Sequence, residues 1–506
     1  MSRSFDRPCE EYDAIVVGAS LAGVVAAAAL TARGYKTALL DALPEAGGRA
    51  GGNATFEGYN FALGHRDAIN GIGDLAYSGL LTASRAEEAT MSIRVHNLPE
   101  ERIGDVSMSD ITAAPGADGS DPLALFRRLV RIFGPDAEDE EAAAAEVARL
   151  YGLLTDHTVE QAWSLVPLLM GDWLTLVTDN LDARTVIINQ LEASHASPAE
   201  ETSVGRFILS MLGTHSGAHD LPPLVDEGDV TGVNPFQAEI RRFVATFEAK
   251  GGVSYLGWKP VRINVEQGAS AGFGSGRLGR VTGVVALNSA NVVREFRAPI
   301  VITDHFGWQL KDLLDERLLP QSFVEAAEAT RAYSGDVISW MVGTTQLPKI
   351  RATGQVEDFS GWQRVGYGKG PVKSYHGGFV WLTLNNPNWA PEGRHLLAVT
   401  IAHQGRFRDW AEAKAAIEIS RDYVSRYYED LDEVTEFSAY HWCQEPQVLT
   451  WHLKPVYRHP VKVSTIEGLY VGSSSAEGMA GWIQQEAFAA LQAVRLADKE
   501  IGRTLS

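Results

Sequence analysis

The opening forty residues constrain this chain more than any other stretch. Residues 12–18, YDAIVVG, form a short apolar run that ends in glycine. LAGVVAAAALTAR (21–33) is an alanine-rich helix former, and Gly34 stands where a left-handed residue closes such a helix. KTALLD (36–41), a second aliphatic run, then ends on a carboxylate. Strand, helix and strand within about thirty residues make a βαβ unit and therefore a parallel sheet. GASLAG (18–23) lies between the first strand and the helix, with Asp41 at the end of the second strand. Each part suits a dinucleotide. Gly18 permits the tight turn, a small residue at Ser20 lets the backbone approach a pyrophosphate, and Gly23 allows close helix–strand packing. The N–H groups at the helix start, around Leu21 and Ala22, hold phosphate, and Asp41 accepts from a ribose diol. Serine replaces the usual middle glycine at position 20; it is small, and its hydroxyl is a further donor.

Composition bounds the rest. At 506 residues the chain is more than three times a typical domain of ~150, so two or three domains are expected. A net charge of −20 gives a surface that repels phosphate backbones and anionic lipid heads, which argues against nucleic-acid binding. Cys9 and Cys443 are too far apart in sequence to suggest a disulfide framework, so a reduced setting is expected. MSRSFDRPCEEYD is too polar for a secretory leader, and no run of ~18 apolar residues occurs. A cytoplasmic protein is expected, with peripheral contact to a membrane left open. The thirteen histidines include no H-E-x-x-H, and there is no C-x-x-C, so no metal site is expected.

Further along, residues 42–75 are glycine-rich and read as irregular. Residues 120–250 are helical in character, and the acidic run 136–146 reads as a solvated helix N-terminus. Strands are expected at 252–258, 261–266, 280–287 and 298–304. The last forty residues return to strand (GLYVG, 468–472), glycine turn and a helix over 481–499.

PEAGGRA (44–50) places Gly48 and Arg49 just beyond the acidic ribose ligand, where an arginine fork neutralises pyrophosphate. Here the chain resembles the flavin-containing amine oxidase and phytoene desaturase superfamily, on its desaturase branch. GYNFALG (58–64) resembles that family's segment beneath the flavin ring, and Val261 in WKPVRI the strand whose backbone contacts the adenine. VTGVV (281–285) and IVITD (300–304) resemble the returning sheet of the FAD domain, and NPNWAPEG (386–393) a turn before a substrate-domain strand. GLYVGS with EGMAGWI (477–483) resembles the C-terminal FAD motif. The resemblance implies an α/β fold. In it, a Rossmann-like, glutathione-reductase-like FAD-binding domain (1–85, 228–310 and 455–506) interleaves with a mixed α+β substrate domain (86–227 and 311–454). It implies FAD as cofactor, with Gly48, Arg49, Gly64, Val261, Gly472, Ser473, Gly481, Trp482 and Ile483 added to the site. The chain departs from the pattern at Ala62 and Ser473, where acidic residues are usual, at Gln484-Gln485-Glu486, and at GVNP (232–235). The aromatic-hydroxylase branch also opens with a GASLAG-like turn, but its internal motif lies far from the C-terminus.

FAD takes a hydride and the protein orients the substrate and any proton acceptor. His65, following Gly64, is the candidate base; a loop-positioning role for it stands beside that reading, and Arg66 and Asp67 read as loop ligands. Trp482 either packs near the ring or belongs to the core. EASH (192–195) reads as a surface pair on a helix. GASAG (268–272) matches a hydrolase pattern without the strand–turn–helix elbow such a site requires. The leading expectation is desaturation of a C–C bond in an apolar, terpenoid-like small molecule. An amine or alcohol oxidase, and an isomerase or hydratase without net redox, are the alternatives. No second dinucleotide fingerprint appears, so oxygen, a quinone or a protein carrier is the expected electron acceptor. Oligomeric state is not indicated.

Overall fold

The computed structural model describes residues 9–48, 52–63, 92–96, 105–107 and 121–501, except 122, 135, 196–197, 216–234, 268–277, 333, 366–374, 404–406, 449–454 and 479–481. A short strand β1 (Cys9–Glu11) precedes the expected βαβ unit, β2 (Ala14–Val17), α1 (Leu21–Ala32) and β3 (Thr37–Asp41). Next comes a two-stranded hairpin, β4 (Gly52–Phe56) and β5 (Tyr59–Leu63). This corrects the expectation of an irregular segment over 42–75. Glu57 and Gly58 adopt φ of 50° and 85°, a two-residue turn whose twist matches paired strands. The strands, with Gly52, Asn53 and Ala54 along one of them, lack the β-branched density that marks strands in a sequence.

After β6 (Ser92–His96) and β7 (Asp105–Ser107) come seven helices: α2 (Ala124–Phe133), α3 (Glu140–Thr155), α4 (Val159–Ser164), α5 (Met170–Val177), α6 (Leu181–His195), α7 (Val204–His215) and α8 (Pro235–Ala249). The acidic run is a helix start as expected. Asp139 caps α3 by accepting the Ala142 N–H at 3.0 Å, and Glu140 and Glu141 occupy its first turn. Then follow β8 (Val253–Leu256), β9 (Trp258–Gln267), β10 (Gly279–Asn288), β11 (Val293–Arg297) and β12 (Ile300–Thr303). Helix α9 (Gln321–Arg331) leads into β13 (Gly335–Thr344), β14 (Trp362–Val365), β15 (Tyr375–Trp381) and β16 (His395–His403). Helix α10 (Trp410–Tyr427), β17 (Thr435–Val448), β18 (Ile466–Glu467), β19 (Leu469–Val471) and α11 (Trp482–Ile501) complete the chain.

A five-stranded parallel sheet runs in the order β19-β12-β2-β3-β8. Its strands come from sequence positions 14–41, 253–256, 300–303 and 469–471. All four residues of β2 are buried because both faces of the sheet are covered. Ala14 and Val16 face α1, α8 and α11; Ile15 and Val17 face a second sheet containing β9, β10 and β11. That alternation is the two-residue period of a strand. Helix α1 is buried on nearly every side, which suits its alanine-rich, charge-free sequence.

The third sheet has seven strands in the order β17-β13-β16-β15-β14-β6-β7. Trp340, Val342, Phe379, Trp381 and Val399 pack one face against α10. Met341, Val380, Leu396 and Ala398 point the other way, into a core shared with Tyr59, Phe61 and helices α2–α7. The helical segment and the hairpin therefore cover the same face of this sheet.

Candidate cofactor site

The parallel sheet aligns its carboxyl ends. Val471, Thr303 and Val17 are in register, and Val17 pairs with Leu40. The next residue along each strand is Gly472, Asp304, Gly18 or Asp41. Hydrogen bonds continue across this row: Gly472 N to Thr303 O at 2.8 Å, Asp304 N to Val17 O at 2.9 Å, and Gly18 N to Leu40 O at 2.7 Å. Chain direction across the sheet diverges between β2 and β12, since β2 leads through α1 to β3 on one side while β12 and β19 lie on the other. A crevice at such a switch point is where open parallel sheets bind ligands.

Gly18 has φ +96°, and a Cβ there would stand 1.7 Å from Asp304 Oδ1. A Cβ on Gly23 would stand 1.9 Å from the Gly18 carbonyl oxygen, so helix and strand touch backbone to backbone. Leu21 and Ala22 form the first turn of α1. Asp41 accepts the Ala19 N–H through Oδ2 at 2.6 Å and the Leu43 N–H through Oδ1 at 2.7 Å. Each oxygen keeps lone-pair capacity for a diol. Burial, and then the neighbouring Asp304 charge, raise its pKa. Gly47 N donates to Ala19 O at 2.7 Å, so the double-glycine loop folds back on the turn and Gly48 abuts Ser20. The Ser20 hydroxyl is buried without a hydrogen-bond partner. A cradle closed to side chains, an orphaned buried hydroxyl and a hydrogen-bonded carboxylate fit the ADP half of a flavin dinucleotide.

The C-terminal motif completes the row. Ser473 Oγ lies 2.8 Å from Ser475 Oγ, which lies 2.8 Å from His459 Nε2. His459 Nδ1 is 2.9 Å from the Pro460 carbonyl, which only accepts. The proton is therefore on Nδ1, and Nε2 accepts from the Ser475 hydroxyl. Ser475 Oγ in turn accepts the Gly307 N–H at 2.9 Å and the Ser473 O–H. The loop after β12 is thus bound to α1 through Asp304 and to the C-terminal motif through Gly307. Two buried arginines lie behind it. Arg458 Nη1 donates to Ser474 O at 2.9 Å, and Arg206, stacked 4.8 Å from the Trp163 ring, donates to Val456 O.

Burial lowers the His459 pKa to about 4. Between pH 6.5 and about 4 the unfolded chain binds a proton that the folded chain does not, so stability falls as pH falls through that window. The loss amounts to roughly 3 kcal/mol. Urea midpoints measured from pH 7 to pH 4 should show this drop in the wild type and a flatter profile in His459→Gln. Equal slopes would remove His459 from the acid response.

Among the expected site residues, Gly18, Ser20, Leu21, Ala22, Gly23, Asp41, Gly48, Gly472 and Ser473 meet at this edge. Val261 lies on β9 in the second sheet and is 36% exposed. Trp482 and Ile483 begin α11. His65, Arg66, Asp67, Arg49, Gly64 and Gly481, and the GASAG segment, lie outside the described residues, as do the side chains of EASH. Asp304, Ser475, His459 and the two arginines escaped the sequence reading. Asp304 looked like the polar end of a strand, and nothing local signals that it reaches Ser20.

Solved structures share this architecture throughout. An oxidoreductase from Methanosarcina mazei superposes with a TM-score of 0.59 at 14% identity, covering 95% of this chain and 99% of its own. Cyclohexylamine oxidase from Brevibacterium oxydans gives 0.53 at 14% identity, covering 97% and 99%. Putrescine oxidase gives 0.53 at 16% identity, covering 98% and 100%. The chain shares the fold of these oxidoreductases. Residues 16–67 match the NAD(P)-binding Rossmann-like domain family, which spans the βαβ turn and the double-glycine loop. No curated protein matches the chain in sequence. The expected α/β fold with a Rossmann-like domain and mixed α/β content is therefore borne out. Among the described residues, no helix is long and apolar enough to cross a membrane, and no three His, Cys, Asp or Glu residues cluster as metal ligands.

Proposed function

We propose that this chain is an FAD-dependent oxidoreductase that dehydrogenates a C–C bond of an apolar small molecule. The observation that carries the cofactor reading is the row Gly472, Asp304, Gly18 and Asp41 at the carboxyl edge of the parallel sheet, with the GASLAG turn at its centre. FAD, when bound, supplies a hydride acceptor. Asp41 holds the ribose diol, the α1 amides hold the pyrophosphate, and the C-terminal motif carries the flavin end. Two interleaved domains follow, with the FAD domain assembled from three chain pieces. The apolar substrate rests on the desaturase-branch resemblance of NPNWAPEG (386–393). Amine oxidation is the second reading, favoured by the amine oxidases among the similar folds.

The purified protein should show a flavin absorbance band. Anaerobic mixing should bleach it with apolar alkenes or terpenoids; bleaching by primary amines alone would select the second reading. A colourless protein that takes up no added FAD would overturn both. If His65 is the proton acceptor, His65→Ala slows that bleaching by ~100-fold or more at unchanged FAD content. A wild-type rate leaves His65 a structural role.

A further inference from the structure

We propose that Asp304 is an internal anion held in the dinucleotide cradle, which sets how strongly the site favours a nucleotide bearing phosphate over one without it. This rests on the FAD reading of the site. Asp304 follows β12 at the switch point and is buried, with only 10% of its side chain exposed. Its Oδ2 accepts the Ser20 N–H at 2.9 Å, across 284 positions of sequence. Ser20 occupies the N-cap of α1 yet makes no side-chain cap bond, and its hydroxyl is buried with no partner. One N–H at the helix start, that of Ser20, is therefore taken by a distant carboxylate.

A carboxylate at a helix N-terminus neutralises the partial positive charge that draws phosphate there. Asp304 also takes an N–H at the centre of the glycine turn. A diphosphate brings two further negative charges to the same few ångströms. Asp41 lies close enough that, after burial, the Asp304 charge also raises its pKa. Among the described residues, His305 lies beside Asp304, with its Nδ1 3.5 Å from Oδ1. At the turn itself, a phosphate seated on the α1 amides meets the Asp304 charge or displaces the carboxylate from Ser20. Removing the charge while keeping an acceptor leaves the Ser20 N–H satisfied and lifts the repulsion.

The test is calorimetric titration of cofactor-stripped protein with FAD, ADP and adenosine, in wild type, Asp304→Asn and Asp304→Ser. Both variants should bind FAD and ADP ~10-fold tighter, which is about 1.4 kcal/mol, with adenosine unchanged. Two variants keep the test decisive if one misfolds; thermal unfolding identifies the one that is native. Unchanged or weaker ADP binding, or an equal gain for adenosine, overturns the role of Asp304 while leaving FAD binding intact. Failure of all three ligands to bind wild type and variants alike overturns the FAD reading itself, and the proposal with it.

Discussion

Protein carrying Asp41→Ala is expected to purify without FAD. The carboxylate has two sets of partners. Inside the protein it accepts the Ala19 and Leu43 N–H groups, and in the proposed FAD site its remaining lone pairs would meet the ribose diol. Charge-assisted hydrogen bonds contribute roughly 1.5–3 kcal/mol each. Losing two of them lowers affinity by about 100-fold or more. The substitution also leaves two backbone donors short of an acceptor at the turn that should hold the pyrophosphate. Asp41→Asn keeps one acceptor oxygen and should fall between wild type and alanine. The ratio of flavin to protein absorbance, and the affinity of stripped protein for added FAD, measure this. An alanine variant with wild-type flavin content would show that Asp41 serves the turn and not the ribose.

Gly18→Ala should be more damaging still, because it strikes the fold and the site together. The residue has φ +96°, and its new Cβ would stand 1.7 Å from one Asp304 oxygen and 2.4 Å from the other. The Asp304 side chain has little room to retreat, since it is hydrogen-bonded to Ser20 and packed between Gly18 and Gly23. A destabilisation above about 4 kcal/mol is expected, at the extreme of single substitutions. In an Asp304→Ala background the collision disappears but the positive φ remains, at a cost of about 1–3 kcal/mol. The double variant should therefore recover part of the loss. Soluble yield and urea midpoints of the three proteins decide the matter. A Gly18→Ala protein with the wild-type midpoint would rule out the close packing of Asp304 on the turn.

Much of this architecture could be read without coordinates. The βαβ opening, the helical middle and the strand–turn–helix close are local patterns, set by hydrophobic period, glycine position and capping residues within short windows. The Gly18–Gly23 turn and Asp41 belong to the same class, because one short segment contains both the turn and its acidic partner. Two strands are not legible in the sequence, for one physical reason. The β4–β5 hairpin has weak strand formers, and its pairing is supported by packing of Tyr59 and Phe61 in the helical core. The strand β1 is polar in sequence and exists through its parallel pairing with β11, nearly three hundred residues away.

Residue order and spacing alone place a parallel sheet at the start of this chain, with a dinucleotide-type turn on its edge. Periodicity and turn chemistry act over a few residues and need no distant partner. What stands beside that turn depends on long-range strand pairing. Asp304 reaches Ser20 because β12 pairs with β2, and Ser475 meets His459 and Gly307 because β19 pairs with β12. A hydrogen bond between residues 284 positions apart leaves no trace in local composition; sheet register alone brings the two groups to 2.9 Å.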